Sequence, residues 1–225
     1  MIPLKDNLPS RGFPLVTFAL VAANIAIFMY EISLGPHMDR IFFAYGAIPF
    51  ELMQGIAAKE RPIPIGLTAF TSMFVHGGFF HVGGNMLYLW IFGNNVEDAM
   101  GHGRFIVFYL LCGLIAVYSQ AYIAPNSKLP MVGASGAVSG VLGAYLLLFP
   151  RAKVLTLVPF FIFIQIFRVP AVFLLGFWIV VQVLSGFFGD QSGVAWFAHI
   201  GGFIAGMLLI FFFIKPRARR RRFSS

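Results

Sequence analysis

Ala69-Phe-Thr-Ser-Met-Phe-Val-His76-Gly-Gly-Phe-Phe-His81-Val-Gly-Gly-Asn85-Met-Leu-Tyr-Leu-Trp-Ile-Phe92 is apolar and long enough to cross roughly 30 Å of hydrocarbon as a helix. It nevertheless carries two histidines and an asparagine. Ionisable and strongly polar groups at membrane depth are costly and mark a functional site by default, the bland alternative being hydrogen bonds that hold helices together. Five further runs reach spanning length: 13–30, 105–123, 132–149, 171–188 and 194–214. The whole composition agrees, with 59% hydrophobic and only 11% charged residues in a chain of 225 and a mean hydropathy of +0.86. So little charge excludes a soluble domain, and so much apolar surface excludes disorder. A single cysteine, Cys112, excludes a disulfide scaffold.

The net charge of +8 could suggest a nucleic-acid partner, but its placement argues for none. Lys215, Arg217 and Arg219 to Arg222 follow the last apolar run, as cytoplasmic flanks do. The first run is long for a signal peptide and no small-residue cleavage site follows it, so it reads as a retained span. The stretch 154–167 contains Pro159, is closed by Arg168 and Pro170, and is short for a crossing. Counting it would also put Lys5 and Arg11 on the opposite side from the basic tail. With six crossings and both ends inside, twelve basic residues fall inside and four (Arg40, Lys59, Arg61 and Lys128) fall outside. The expectation is therefore an all-α, multi-pass membrane protein with a six-transmembrane-helix bundle, a long first external loop over 31–67 and an interfacial segment at 154–167. Its parts are a cytoplasmic segment 1–12, a membrane domain 13–214 and a basic cytoplasmic tail 215–225. The charge asymmetry suits a prokaryotic cell membrane, and the sequence carries no signal for a particular oligomer.

Three spans carry polar groups. His76, His81 and Asn85 lie on the second, Gly133-Ala-Ser135-Gly136 opens the fourth, and Ala198-His199-Ile-Gly-Gly202 follows Trp196 on the sixth. Ser135 precedes Arg151, His199 precedes Lys215 and His81 precedes Glu97 by the same 16 residues, about 24 Å of helix rise. All three thus share one level, just below the outer face. Asn85 is one turn deeper on the face of His81. Gly136, Gly140 and Gly143 on one helix, and Gly202 and Gly206 on the other, are small-residue stripes that let the fourth and sixth spans approach closely. The two prolines and the glycine before Ser135 place the helix start at the serine, with its free N–H groups turned outward.

A serine hydroxyl is a weak nucleophile until a base takes its proton, and His199 is the base at matching depth. All eight carboxylates lie in loops or at span ends, so the arrangement reads as a Ser-His dyad without an acid. Asn85, His81 and the Ser135 backbone N–H are placed to stabilise an oxyanion. Taken singly, Gly-x-Ser-Gly could serve helix packing, and His81, Asn85 and His199 could be interhelical hydrogen-bond partners. Their conjunction at one depth favours catalysis.

This constellation resembles the rhomboid family of intramembrane serine proteases over nearly the whole chain after the first span. The family's His-x4-His-x3-Asn appears as His76, His81 and Asn85, its Gly-x-Ser-Gly as Gly133 to Gly136, and its Ala-His-x-x-Gly-x-x-x-Gly as Ala198, His199, Gly202 and Gly206. The resemblance implies a six-helix core in the lipid bilayer that cleaves transmembrane protein substrates near the outer face without metal or cofactor. It also implies that Ser135 forms an acyl-enzyme and that His199 is the base. Gly133, His76 and Trp196 are expected to border the substrate, and the outer half of the fifth span, with Phe177, Trp178 and Phe187, is the expected gate. Ser139 stands where some members carry a tyrosine stacked on the histidine, and the Trp-Arg pair of some first external loops is missing. A zinc site of the His-Glu-x-x-His kind and a pair of intramembrane carboxylates are both absent from the sequence, which disfavours metallo- and aspartyl proteases. A transporter is disfavoured because the polar groups sit too high in the membrane. The remaining rival is a non-catalytic rhomboid-like module that binds transmembrane helices.

Overall fold

The computed structural model describes residues 1–9, 12–57, 61–160, 163–189 and 193–215. Arg11, Lys59, Asp190 and the tail beyond Lys215 lie outside the described residues. Nine α-helices and three strands are described, and the membrane part is an all-helical, multi-pass bundle. Strand β1 (Ile2–Asp6) leads into α1 (Leu15–Ser33). The long external segment that follows is not a plain loop. It forms a 3-10 turn, then α2 (Met38–Tyr45), α3 (Pro49–Gln54) and α4 (Ile65–Thr71). Arg61 gathers this segment, pairing with Glu51 at 2.5 Å and donating to the carbonyls of Ala44 and Gly46.

The apolar run 69–92 divides. Helix α4 ends at Thr71, Gly77 and Gly78 interrupt regular structure, and α5 (Phe79–Met100) continues beyond the apolar stretch to Met100. Helices α6 (His102–Ile123), α7 (Ser135–Leu148), α8 (Ala171–Phe188) and α9 (Trp196–Phe213) complete the bundle. Among the described helices, four (α1, α6, α8 and α9) are both long and apolar enough to span a membrane. Helix α5 is long but diluted by His81, Asn85, Asn94, Asn95, Glu97 and Asp98. Helix α7 is apolar but has 14 residues, about 21 Å of rise, because its first turn begins inside the protein.

Stretch 154–167 belongs to a β-hairpin. Strands β2 (Lys153–Phe160) and β3 (Phe163–Pro170) pair antiparallel, and β1 adds to β2 with Ile2 opposite Leu157. The local reason is visible in Val154, Thr156 and Val158, β-branched at alternate positions, with Val154 and Thr156 buried, Lys153 exposed and Leu155 and Leu157 half-buried. Pro159 removes a helical donor as well.

Helix α7 is the axle of the bundle. A Cβ on Gly202 of α9 would fall on the carbonyl of Gly136, one on Gly206 on the carbonyl of Gly140, and one on Gly143 on the carbonyl of Phe203. The two backbones therefore touch, as the paired glycine stripes require. On its other side α7 packs Gly136 against Ala116 and Gly140 against Cys112 of α6.

Polar contacts set which ends coincide. The Asp6 carboxylate accepts hydrogen bonds from the Asn95 side-chain amide at 2.7 Å and the Tyr145 hydroxyl at 2.6 Å, and the Lys215 N–H donates to the carbonyl of Ala99 at 3.0 Å. Residues 6 and 215 thus lie at one end, beside the C-terminal turns of α5, α7 and α9. These three helices are parallel, with their N-termini together at the other end. Burial raises the Asp6 carboxyl above the usual carboxylate range, against the opposing effect of the Tyr145 hydroxyl. Glu97, used above as a boundary charge, is instead buried. It accepts from the N–H groups of Val16 and Thr17 and from the Thr17 hydroxyl at 2.7–2.9 Å, so a carboxylate satisfies the first turn of α1.

Candidate active site

The irregular chain before α7 is half-buried from Pro130 to Gly133 and buried at Ala134, and its backbone groups there find protein partners, which makes such backbone tolerable. Met131 exchanges backbone hydrogen bonds with Ala47 of the external segment, and the Gly133 N–H donates to the carbonyl of Ser72 at 2.8 Å. Gly133 has φ +114°, a conformation that suits glycine, and a Cβ there would lie 2.5 Å from His81 Nε2. The next N–H, of Ala134, donates to His76 Nε2 at 3.3 Å. Ser135 then begins the helix, so its own N–H has no carbonyl one turn back.

Across the glycine contact, Ser135 meets His199. The distance from His199 Nε2 to Ser135 Oγ is 2.8 Å, although the residues are 64 apart in sequence. The other ring nitrogen, Nδ1, lies 2.7 Å from the Oε1 of Gln182 on α8. Trp178, one turn before Gln182, and Trp196, at the start of α9, both place their rings 6.0 Å from the imidazole, Trp196 edge-on. Trp178 also stacks on Phe203. Ser139, one turn after Ser135, turns its hydroxyl back to the Ser135 carbonyl at 2.6 Å. The aromatic cover of the histidine therefore comes from α8 and α9 rather than from α7.

A cavity of about 640 Å³ opens over these groups. Ser135, His199, Asn85 and His81 all line it, with Gln182 and Trp178 on one wall and Tyr88, Val138 and Leu142 below. The partners dictate which nitrogen of each histidine carries its proton. The Gly77 N–H can only donate, and it approaches His81 Nδ1 at 3.3 Å, so His81 presents Nε2–H toward Gly133. His76 accepts at Nε2 from Ala134, leaving Nδ1–H for the Phe74 carbonyl at 3.3 Å. Asn85 Nδ2 is buried, has no hydrogen-bond partner among the described residues, and points to the same side of Gly133. Two side-chain donors thus converge beside the serine.

Gly133, His76 and Trp196, expected to border the substrate, are all set back from this cavity. Gly133 lines a small crevice beside Ser135. His76 is fully buried behind the loop, where its main-chain N–H also donates to the Glu31 carboxylate at 3.2 Å, and Trp196 packs on His199 without lining the cavity. Phe177 and Phe187 are exposed on α8, Phe187 packing on Phe197 of α9, whereas Trp178 turns inward. Sequence alone assigns no role to Gln182 and places Trp178 only in the gate, not beside His199. Gln182 could have been found by the rule that exposed the others, since it is the strongly polar side chain in the middle of an otherwise apolar span.

The family model described as Rhomboid domain matches residues 66–216, which hold every group named in the cavity. This chain belongs to the rhomboid family. Curated rhomboid relatives align along most of it. It is 30% identical to the Saccharomyces cerevisiae Rhomboid protein 1, mitochondrial, over 92% of this chain and 56% of that protein. It is 32% identical to Rhomboid protease GluP of Bacillus subtilis over 87% of this chain and 34% of the relative, and 28% identical to Rhomboid protease AarA of Providencia stuartii over 94% and 77%. Against the yeast and Bacillus rhomboids the chain spans about half or less of the relative's length.

Proposed function

We propose that this rhomboid is an intramembrane serine endopeptidase that cleaves transmembrane segments of other membrane proteins near the outer face. Six helices cross a prokaryotic cell membrane, α1 and α5 to α9, with both termini cytoplasmic. The observation that carries the reading is the 2.8 Å contact of Ser135 Oγ with His199 Nε2 inside a cavity that also holds the unpaired amide of Asn85. Relatives named as proteases support it at the level of the family.

In the proposed reaction His199 Nε2 takes the hydroxyl proton as Ser135 Oγ attacks the scissile carbonyl. The oxygen, now negatively charged, receives hydrogen bonds from Asn85 Nδ2, His81 Nε2 and the Ser135 N–H, donors fixed beforehand by the loop and by α5. The imidazolium returns its proton to the leaving nitrogen and the peptide bond breaks, leaving an acyl-enzyme. Water entering the cavity, deprotonated by the same nitrogen, hydrolyses the ester. Gly133 keeps its place beside the carbonyl by having no side chain, His76 acts by holding the Ala134 N–H, and Trp196 holds the imidazole edge. The test is cleavage of a transmembrane reporter by the purified protein, together with labelling by a fluorophosphonate. Ser135→Ala and His199→Ala each abolish cleavage, and Ser135→Ala abolishes labelling, in protein that still melts cooperatively. Wild-type protein that binds the reporter without cutting it would identify a helix-binding module instead.

A further inference from the structure

We infer that Gln182 is a positioning residue that sets the tautomer of His199, in a neutral relay Trp178 carbonyl, Gln182 amide, His199 imidazole, Ser135 hydroxyl. The inference rests on the protease reading for its kinetic consequence, but the geometry stands separately. A general base needs its lone pair on Nε2, facing the serine, so the ring proton must sit on Nδ1. An amide can offer Nδ1 either an oxygen or an NH2 group, and the two are distinguished only by what else the amide touches. Here Gln182 Nε2 lies 3.4 Å from the main-chain oxygen of Trp178, one turn back on α8. A carbonyl oxygen can only accept, so the NH2 group belongs on that side and Oε1 on the other. Oε1 is 2.7 Å from His199 Nδ1 and likewise can only accept, so Nδ1 carries the proton. Nε2 is then bare at 2.8 Å from Ser135 Oγ. Turning the amide over would set oxygen against oxygen at Trp178 and NH2 against N–H or force the proton onto Nε2, the unproductive tautomer.

The chemistry also accounts for an amide rather than an acid. Gln182 is 6% exposed on a helix of spanning length and apolarity. A carboxylate there would be a charge without a cationic partner in the resting site, which is costly in hydrocarbon surroundings. An amide oxygen supplies the same directional acceptor at no charge. It orients the ring without adding a negative charge to offset the imidazolium.

The experiment compares wild type with Gln182→Leu, Gln182→Met and Gln182→Glu, measuring kcat and KM on a transmembrane reporter and the 15N spectrum of labelled histidine, with His199→Asn to assign the resonance. In wild type, His199 shows protonated Nδ1 and bare Nε2. Gln182→Leu and Gln182→Met populate both tautomers and lower kcat about 10- to 100-fold, with KM within about threefold, since a lost hydrogen bond acts on the base and not on substrate contacts. Gln182→Glu keeps an acceptor oxygen but loses the NH2 group held by the Trp178 carbonyl, and its kcat falls below that of wild type. A folded leucine or methionine variant with wild-type kcat, or one whose rate falls while the His199 tautomer stays unchanged, overturns the inference. If wild type neither cleaves nor labels, the protease reading fails, and the tautomer spectra still decide what Gln182 does.

Discussion

Gly206→Ala adds one methyl group about two turns below His199, away from the cavity, and so asks whether helix spacing alone controls the Ser135–His199 contact. The new Cβ would sit 2.5 Å from the carbonyl carbon and 2.7 Å from the Cα of Gly140, with the carbonyl oxygen closer still. Ordinary contact begins at 3.4 Å, so α9 must retreat from α7 by roughly 0.7–0.9 Å on those two atoms alone. A rigid retreat would lengthen the 2.8 Å Ser135–His199 contact to about 3.6 Å, past the reach of a hydrogen bond. Misplacement of reacting groups by about 1 Å costs on the order of 100-fold in rate, and overpacking a tight contact costs about 1–3 kcal/mol of stability. The assay is kcat on a transmembrane reporter beside thermal melting in detergent. Gly176→Ala on α8, where a Cβ meets nothing within 4 Å, is the control and keeps both values. A folded Gly206→Ala protein with kcat within twofold of wild type would refute the claim that glycine contact sets the serine–histidine distance.

Two further outcomes are expected. Asn85→Ala lowers kcat by about 10²–10³ without lowering the melting temperature, because its Nδ2 donates to no group among the described residues and is called on when a carbonyl oxygen becomes negative; a destabilised variant of normal kcat would make it a structural residue. Asp6 should make stability fall as pH rises: its carboxyl titrates above the unfolded value, so the folded state holds that proton more tightly, and the resulting stability is present below the unfolded pKa and lost as pH passes the folded one. Melting curves across the acid range should show this slope in wild type and a flatter one in Asp6→Asn, and equal slopes would reject it.

The helices and the site were unequally legible. Apolar runs located α8 to the residue and α6 and α9 nearly so, because lipid exposure demands continuous apolar faces. They misplaced the start of α5 by ten residues, because buried backbone can leave the helix wherever protein supplies its partners, as Ser72 does for Gly133 and Glu31 for His76. The hairpin was missed for a related reason: a short apolar stretch with a proline fits an interfacial segment as well as strands, and β1 completes it from more than 140 residues away. Glu97 reads as a boundary charge in the sequence because nothing near it announces that the first turn of α1 needs its oxygens.

Polar side chains in an apolar background betray themselves by their solvation cost, so His81, Asn85, Ser135 and His199 stand out along the chain, and equal rise per residue puts His81, Ser135 and His199 at one depth with Asn85 a turn deeper. Direction could not be read that way. Which imidazole nitrogen bears the proton, which way the Gln182 amide faces and which donor is left unpaired depend on partners brought from other helices. Hydrogen bonds act over about 3 Å and within narrow angles, and only the packing of α7 between α6 and α9, with α8 alongside, brings those groups that close.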